Sequence, residues 1–563
     1  MIDTVFRSLE KDYAEIPQQV AIHLLFSQQP AKTLTFAELI QGAAGYSQAL
    51  ARADIAPGEV VILILEHGEA LIEAFFGAVL HGAIPSIMPF LTKKLAPDAY
   101  RASLSALFEI TRPGAVITYP EFLDEVRQAS QGSSPRTILL CDQVSGAASP
   151  DFATLGGRQR RAQDILLLQH SSGTTGLQKG VALSHQAVFN QLEPYAEAIQ
   201  LGPKDVIVSW LPLYHDMGLI AGFIMPVLKR VPLVLLSPFD WVRAPYRLMQ
   251  AVTEYGGTLC WLPNFAYNFC AQKIRDRDLQ GVNLSSLRAV INCSEPMHWS
   301  SHEMFRQRFE PYGLNPAALS TCYAMAENVF AVTQGGVHAP VSLDCIDSHV
   351  LLDHQVAEPC QDSQQAIKMV SAGRPLKNTR LRILDPQGAD QPERHIGEIA
   401  LQSDCMLAGY YHRPDLTGKA FQDGWYLTGD LGYLANGELY ITGRKKDLII
   451  VGGKNIYPQD LERLANEIPG IHPGRVAAFG VFDERAGTEE VVLVAEAEHS
   501  TLLDPQAVAR LADEIRRRIT AGSDIALRYV EIVEKNWLVK TSSGKIARQA
   551  NREKYLSEFR GNR

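Results

Sequence analysis

A run of hydroxyl and glycine residues that ends in one lysine is the stretch of this chain best suited to bind an anion. It reads Ser171-Ser172-Gly173-Thr174-Thr175-Gly176-Leu177-Gln178-Lys179-Gly180. Glycines let backbone N–H groups converge on phosphate oxygens, hydroxyls add donors, and the lysine adds a positive charge. The order is not that of a Walker A loop, because glycine rather than serine or threonine follows the lysine. Apolar runs at 165–168 and 181–183 predict flanking strands, so the sequence predicts a phosphate-binding loop between two strands.

Four further motifs carry residue types suited to nucleotide chemistry. Residues 323–327 (Tyr-Ala-Met-Ala-Glu) end in a carboxylate, a ligand type that Mg²⁺ accepts alongside substrate phosphates. Residues 425–430 end in Thr-Gly-Asp, whose carboxylate has enough lone pairs to accept hydrogen bonds from two hydroxyls. Residues 443–447 (Gly-Arg-Lys-Lys-Asp) and 541–545 (Thr-Ser-Ser-Gly-Lys) are basic. Taken singly, each has an ordinary structural explanation, such as a turn aspartate or a solvated basic cluster.

Together and in this order, the five motifs resemble those of the adenylate-forming superfamily. That family includes acyl-CoA synthetases, peptide-synthetase adenylation domains, luciferases and fatty acyl-AMP ligases. The resemblance implies that ATP and Mg²⁺ are used to convert a carboxylate into an acyl-adenylate and pyrophosphate. It further implies that Lys545 is the catalytic lysine, Glu327 the Mg²⁺ ligand and Lys446 the interdomain hinge. The ATP- or AMP-binding residues that it implies are Ser171, Ser172, Gly173, Thr174, Thr175, Gly176, Lys179, Ser294, Glu295, Pro296, Tyr323, Ala324, Met325, Asp430 and Arg444.

Within these residues, the resemblance implies more specific roles for a few. Tyr323 is expected to stack on adenine, residues 294–296 to lie along it, and Asp430 to accept hydrogen bonds from the ribose hydroxyls. Arg444 is expected to contact the nucleotide.

Two features resemble the fatty acyl-AMP ligase branch of the family. Residues 210–219 (Trp-Leu-Pro-Leu-Tyr-His-Asp-Met-Gly-Leu) are similar to a segment of that branch, which implies that His215 lies where the acyl carboxylate enters. The stretch from Glu327 to Gly373 is longer than we expect in acyl-CoA synthetases, and the extra segment is about residues 342–368. Long loops in compact domains are usually functional or disordered. Fatty acyl-AMP ligases carry an insertion here, thought to hinder the use of coenzyme A. The resemblance thus implies a medium- or long-chain fatty acid substrate and a separate holo acyl carrier protein as acceptor.

Four hypotheses remain open. The first is a fatty acyl-AMP ligase that loads a carrier protein, and the second is an acyl-CoA synthetase with the same first half-reaction. The third is a stand-alone adenylation enzyme for an aryl or amino acid, although no acidic residue near His215 is evident as an amino-group partner. The fourth is a non-catalytic adenylate-binding or scaffold protein. Against the fourth stands the presence of Lys179, Glu327, Asp430, Arg444 and Lys545 together.

Composition excludes several other classes of protein. The net charge of −9 argues against a dedicated nucleic-acid binder. Eight cysteines without a Cys-x-x-Cys pair predict reduced thiols in a cytoplasmic protein and no zinc framework. The first residues lack the basic start and apolar core of a signal peptide. The most apolar region, 219–236, is interrupted by two prolines and two basic residues, which predicts no membrane insertion.

The apolar periodicity predicts an α/β fold. Strand patterns at 60–65 and 85–88 alternate with helical patterns at 36–50 and 69–80, as in βαβ units whose sheet is covered by helices. We predict a large N-terminal adenylation domain, residues 1–443, and a small mobile α+β domain, residues 444–563. The second domain has strand patterns at 476–482, 491–495 and 529–533 and a helical pattern at about 508–520.

Overall fold

The structure is a computed structural model that describes most of the chain. The described residues are 3–90, 97–130, 134–144, 149–171, 179–361, 366–451, 454–483, 488–523, 527–541 and 544–560. The fold is α/β, as predicted.

The largest sheet has nine described strands, and its centre is parallel. Six neighbouring strands run parallel to one another, and antiparallel strands complete both edges. In spatial order the strands are Arg374–Pro375, Ala331–Gln334, Leu319–Ala324, Ala289–Asn292, Leu259–Leu262, Ile207–Ser209, Leu233–Leu236, Val20–Leu25 and Lys32–Thr35. The central strands are buried along their length and apolar, as expected of a parallel sheet covered on both faces.

A second parallel sheet and two antiparallel sheets complete the N-terminal part. The parallel sheet, in spatial order, contains Ile84–Ile87, Val60–Ile64, Ala115–Thr118 and Thr137–Leu140. One antiparallel sheet contains Gly409–Tyr410, Lys179–Ser184 and Ile165–Ser171. The other contains Thr379–Leu384, Gly397–Ser403, Trp425–Ala435, Phe421–Gln422 and Glu438–Arg444.

Helices cover these sheets where the sequence predicted helical periodicity. The predicted helix at 36–50 is Phe36–Arg52, which begins with a capping box between Thr35 and Glu38. The α-helices are Val5–Glu15, Phe36–Arg52, Glu69–His81, Pro97–Thr111, Leu123–Ala129, His185–Ala198, Met225–Leu228, Pro238–Arg243, Tyr246–Tyr255, Asn264–Lys273, Trp299–Phe309, Ser348–His354, Pro414–Ala420, Pro458–Asn466, His499–Leu502, Pro505–Ser523 and Arg548–Tyr555. The π-helical segments are Met217–Ile224 and Leu556–Arg560. The 3₁₀ turns are Pro120–Phe122, Cys141–Gln143, Gly156–Gln159, Asp276–Leu279, Glu310–Tyr312, Pro316–Ala318, Ala326–Asn328 and Lys445–Asp447.

The C-terminal part has a hydrophobic core of its own. Its sheet contains Ile471–Asp483, Thr488–Ala497 and Tyr529–Val533, and a short hairpin pairs Ile449–Val451 with Lys454–Ile456. Helices Pro458–Asn466 and Pro505–Ser523 pack on this sheet and bury an apolar cluster separate from the N-terminal one. Arg444 still pairs with the N-terminal strand Trp425–Ala435, so the chain leaves that sheet at the following turn, Lys445–Asp447.

The extra segment at about 342–368 is an ordered element in its described part. The strands Leu343–Asp347 and Ala366–Val370 pair as an antiparallel hairpin around the helix Ser348–His354. Its side chains Ile346, Leu351 and Ala357 are buried in one cluster with tyrosines of the neighbouring sheet and with Tyr457, which lies beyond the Lys445–Asp447 turn. The segment therefore joins the N-terminal part to the start of the C-terminal part.

No helix in the part of the chain that the structure describes combines the length and the apolar character needed to cross a bilayer.

Candidate active site

Several predicted site residues follow the carboxyl ends of neighbouring parallel strands. His215 follows Ile207–Ser209, residues 294–296 follow Ala289–Asn292, and Tyr323 lies near the end of Leu319–Ala324. Carboxyl ends of parallel strands meet at one edge of a sheet, and ligands of open α/β sheets bind in the crevice there. The sheet thus brings together segments that are far apart in sequence.

Tyr323, Asp430 and Arg444 form one hydrogen-bonded group. The Tyr323 hydroxyl donates to Asp430 Oδ2 (2.6 Å), and Arg444 Nε donates to Asp430 Oδ1 (2.8 Å). Asp430 and Arg444 are direct partners in the ladder between their two strands. The Asp430 carboxylate raises the pKa of Arg444 above its ordinary value. The Asp430 carboxylate is therefore fixed in place, and its remaining lone pairs can accept hydrogen bonds from hydroxyls.

A basic cavity adjoins this group. It has a volume of about 270 Å³ and is lined by Thr428, Gly429, Arg444, Lys445 and Lys446. Burial, followed by repulsion from Arg444, lowers the pKa of Lys446. Since three of the five lining residues are cationic, the cavity suits an anionic ligand beside Asp430.

Glu327 lies in the 3₁₀ turn Ala326–Asn328, and the Tyr410 hydroxyl holds its carboxylate. Tyr410 Oη donates to Glu327 Oε1 (2.9 Å) and lies 3.0 Å from Tyr426 Oη. Lys179 Nζ lies 4.9 Å from the centre of the Tyr410 ring, which brings the lysine of the phosphate loop to the same place. Tyr410 belongs to none of the five motifs, and Tyr426 lies inside the 425–430 motif but was given no role from the sequence.

The residues around Glu327 fit a magnesium ion that is shared with a substrate. Within the described ranges, no three His, Cys, Asp or Glu side chains are grouped so that they could hold a metal by themselves. Mg²⁺ in nucleotide sites is commonly bound through one or two carboxylates, with phosphate oxygens and waters as the other ligands. Glu327 is a carboxylate of this kind.

His215 and Lys545 come together although 330 positions separate them in the chain. Burial, and secondarily the Lys545 ammonium group, lower the pKa of His215 to about 3. The Nε2 atom of His215 is buried and has no hydrogen-bond partner among the described residues. The imidazole is therefore neutral, with one ring nitrogen left to interact with a substrate.

Two acidic residues, Asp216 and Glu295, also lie within electrostatic range of Lys545. Burial raises the pKa values of both Asp216 and Glu295, and the Lys545 ammonium opposes that shift in each. Both carboxylates accept hydrogen bonds from backbone N–H groups. Asp216 accepts a hydrogen bond from the Met217 N–H (2.8 Å), and Glu295 accepts one from the Phe265 N–H (3.0 Å).

Part of the predicted site lies outside the described residues. These are Ser172, Gly173, Thr174, Thr175 and Gly176 of the phosphate loop, together with residues 542–543 next to Lys545. Ser171 and Lys179, which flank the loop, pair across antiparallel strands, and this confirms the predicted strand on each side. Of the other predicted binding residues, Ala324 ends its strand, Met325 begins the turn that carries Glu327, and Ser294 and Pro296 flank Glu295.

Comparison with known proteins identifies the family. The profile of a family described as AMP-binding enzyme matches residues 9–411. The chain belongs to the AMP-binding enzyme family. A relative in this family is the long-chain-fatty-acid–AMP ligase FadD26 of Mycobacterium bovis, 30% identical over 97% of this chain and 94% of the relative. The 4-hydroxyphenylalkanoate adenylyltransferase of Mycobacterium tuberculosis is 30% identical over 89% of this chain and 82% of the relative. A solved structure from a study of fatty acyl-adenylate ligases from E. coli and L. pneumophila superposes with a TM-score of 0.90, at 26% identity, over 100% of this chain and 99% of that one.

Proposed function

We propose that this protein is a fatty acyl-AMP ligase. It uses ATP to convert a medium- or long-chain fatty carboxylate into acyl-AMP and pyrophosphate, and then passes the acyl group to the phosphopantetheine thiol of a separate acyl carrier protein. The observation that carries the first step is that Lys545 lies within electrostatic range of His215, and both Lys545 and Glu327 within that range of the adjacent Asp216, on a fold that also holds the Tyr323–Asp430–Arg444 group. The names of the relatives support the fatty substrate.

In the adenylation step, the described residues orient the two substrates and balance charge. Asp430 accepts hydrogen bonds from the ribose hydroxyls, and Tyr323 and Arg444 hold its carboxylate in place. The fatty carboxylate attacks the α-phosphorus and pyrophosphate leaves. Lys179 and Lys545 lie where negative charge builds up on the phosphate oxygens, and fixed cations at such positions lower the barrier.

Magnesium and His215 complete this arrangement. Glu327 would hold a magnesium ion, which would add positive charge beside the phosphates. The neutral ring of His215 can donate a hydrogen bond to the entering carboxylate without adding a charge that competes with Lys545. Holding both substrates in one site removes much of the entropic barrier to their reaction.

The acceptor half of the proposal is supported by the packing of the 342–368 segment. We propose that the C-terminal domain rotates about Lys446 after adenylation, which withdraws Lys545 and admits a thiol. Gln355, in the segment, accepts a hydrogen bond from Tyr457 Oη (2.9 Å), beyond the turn that contains Lys446. Contacts across this turn favour the adenylating position, so a freely diffusing thiol such as coenzyme A gains access rarely. A carrier protein can add binding energy of its own to drive the rotation.

Mass spectrometry of the products tests the proposal. The purified protein is incubated with MgATP and fatty acids of graded length, with coenzyme A, with a holo carrier protein, or with neither. We expect acyl-AMP in every incubation. The incubation with the carrier protein should also give the acylated carrier protein, and the incubation with coenzyme A should give little acyl-CoA. Robust acyl-CoA synthesis by the unmodified protein would instead identify an acyl-CoA synthetase.

The proposed location is the cytoplasm, where thiols stay reduced. All eight cysteines are free in the structure, which is compatible with that compartment.

A further inference from the structure

The backbone at Val329 adopts a rare conformation two residues after Glu327. Its φ is 62° and its ψ is −55°, and the Phe330 N–H donates to the carbonyl of Asn328 (2.6 Å). These values describe a γ-turn with positive φ, which is the uncommon and strained form of this turn. A β-branched residue is especially disfavoured at positive φ, because its side chain clashes with the backbone.

Several contacts hold the strained turn in place. The side chains of Val329 and Phe330 are both fully buried. The Phe330 N–H also points to Gln191 Oε1 (3.2 Å), the Met325 N–H donates to the Phe330 carbonyl (2.9 Å), and Asn328 Nδ2 donates to the Ala331 carbonyl (2.8 Å). Strained residues persist where the surroundings determine their conformation in this way, and they are concentrated at functional sites.

Glu327 lies inside the connection that this turn closes. The connection joins the strands Leu319–Ala324 and Ala331–Gln334, which are antiparallel neighbours in the main sheet. The Glu327 carbonyl accepts a hydrogen bond from the Leu407 N–H (2.8 Å), and its carboxylate accepts the bond from Tyr410. A change of φ at Val329 would rotate the preceding residues and with them the carboxylate.

We propose that Val329 is a positioning residue for magnesium binding. Its buried isopropyl group holds the γ-turn, and the turn fixes the direction of the Glu327 carboxylate toward the ion. This inference rests on the proposed role of Glu327 as the Mg²⁺ ligand. The strain at Val329 is retained because a relaxed turn leaves the carboxylate less well oriented.

The test separates the effect of the turn on protein stability from its effect on Mg²⁺ binding. The variants are Val329→Ala and Val329→Gly, with Val332→Ala and Val332→Gly as matched controls. Val332 is an equally buried valine in the next strand of the same hairpin and is absent from the positions with positive φ. For each variant, thermal unfolding is measured without ligand. Binding of a non-hydrolysable α,β-methylene ATP analogue is then measured by calorimetry at increasing Mg²⁺ concentration.

The proposal predicts opposite orders of unfolding temperature at the two positions, and a changed Mg²⁺ requirement at Val329 alone. Glycine tolerates positive φ at no steric cost, so Val329→Gly should unfold at a higher temperature than Val329→Ala, whereas Val332→Gly should unfold at a lower temperature than Val332→Ala. Nevertheless Val329→Gly should need about tenfold more Mg²⁺ than the wild type for half-saturated binding, as is typical when a residue that orients a metal ligand is changed. The Val332 variants should keep the wild-type requirement.

Two results would overturn the inference. One is an unchanged Mg²⁺ requirement in Val329→Gly, and the other is an equal rise in the Val332 variants, which would attribute the effect to lost packing. Measuring Glu327→Gln in the same way distinguishes a failure of the Val329 inference from a failure of the proposed function. If Glu327→Gln raises the requirement and Val329→Gly does not, only the role of Val329 fails. If Glu327→Gln leaves the requirement unchanged, the Mg²⁺ role of Glu327 fails as well.

Discussion

Replacing Tyr457 by phenylalanine removes one hydrogen bond between the 342–368 segment and the C-terminal part. The Tyr457 ring is fully buried, so its packing in the shared cluster is kept, while the hydroxyl loses its bond to Gln355 and its interaction with Thr442. If the C-terminal domain rotates about Lys446, this bond exists only in the adenylating position. The substitution therefore destabilises that position relative to the rotated one.

The expected size of the effect follows from the kind of bond. A hydrogen bond between neutral side chains contributes about 1 kcal/mol net. Since about 1.4 kcal/mol corresponds to a factor of ten, the loss multiplies the population of the rotated position about fivefold. Acyl-CoA formation from isolated acyl-AMP and coenzyme A should rise by the same factor as long as rotation limits access. The rate of adenylation, measured by pyrophosphate release, should change by less than about twofold, because most molecules still occupy the adenylating position.

Tyr433→Phe is the matched control for this prediction. Tyr433 is also buried, and its hydroxyl donates to Asp344 Oδ2 (2.9 Å) of the same segment, but both residues precede Lys446. Its loss should lower the unfolding temperature without raising acyl-CoA output. The reasoning is refuted if Tyr457→Phe leaves acyl-CoA formation unchanged, or if Tyr433→Phe raises it equally.

Three further predictions concern the chemistry of the site. Lys545→Ala should slow acyl-AMP formation by about 10²- to 10³-fold, the usual effect of losing one preorganised donor, while transfer from added acyl-AMP is kept. Lys540→Ala, which removes a nearby charge, is the control. Normal adenylation by Lys545→Ala would exclude that residue from the mechanism. Lys446→Pro fixes φ within a 3₁₀ turn and should preserve adenylation but block thiol transfer, so equal loss of both half-reactions in separate assays would argue for a role in folding or ATP binding. Because the pKa of His215 is lowered to about 3, the ring stays neutral from about pH 5 to pH 8, and the adenylation rate should show no titration of this group in that range. The prediction is contradicted if the wild-type rate falls with a midpoint near the ordinary histidine pKa and the rate of His215→Gln does not.

The sequence predicted those parts of the site that depend on local patterns. Apolar periodicity located strands of the smaller parallel sheet, at 60–65 and 85–88, but not the central strands of the nine-stranded sheet. The residues around His215 and Tyr323 were assigned from the resemblance of their motifs instead. The nucleotide motifs were assigned from their order and residue types, and the roles given to their residues stay predictions.

The remaining features depend on contacts that no local pattern encodes. The bond from Tyr410 to Glu327 joins positions 83 residues apart and leaves no periodic trace. The positive φ at Val329 runs against the preference of a β-branched residue, so any local rule predicts the wrong conformation there. In the described part of the 342–368 segment, Ile346 and Leu351 are buried against the neighbouring sheet, a packing that depends on residues distant in sequence.

The ladder pairing of Asp430 with Arg444 bears on how the intermediate is retained between the two half-reactions. Arg444 lies on the stationary side, two residues before the proposed hinge, whereas Lys545 lies on the moving side. Under the proposed rotation, the ribose end of the adenylate stays bound while the lysine departs and pyrophosphate escapes. A hydrolysis-prone acyl-AMP then waits for its acceptor on the enzyme, so few activated molecules are lost to water for each one delivered. Diluting the enzyme during turnover should accordingly release little free acyl-AMP.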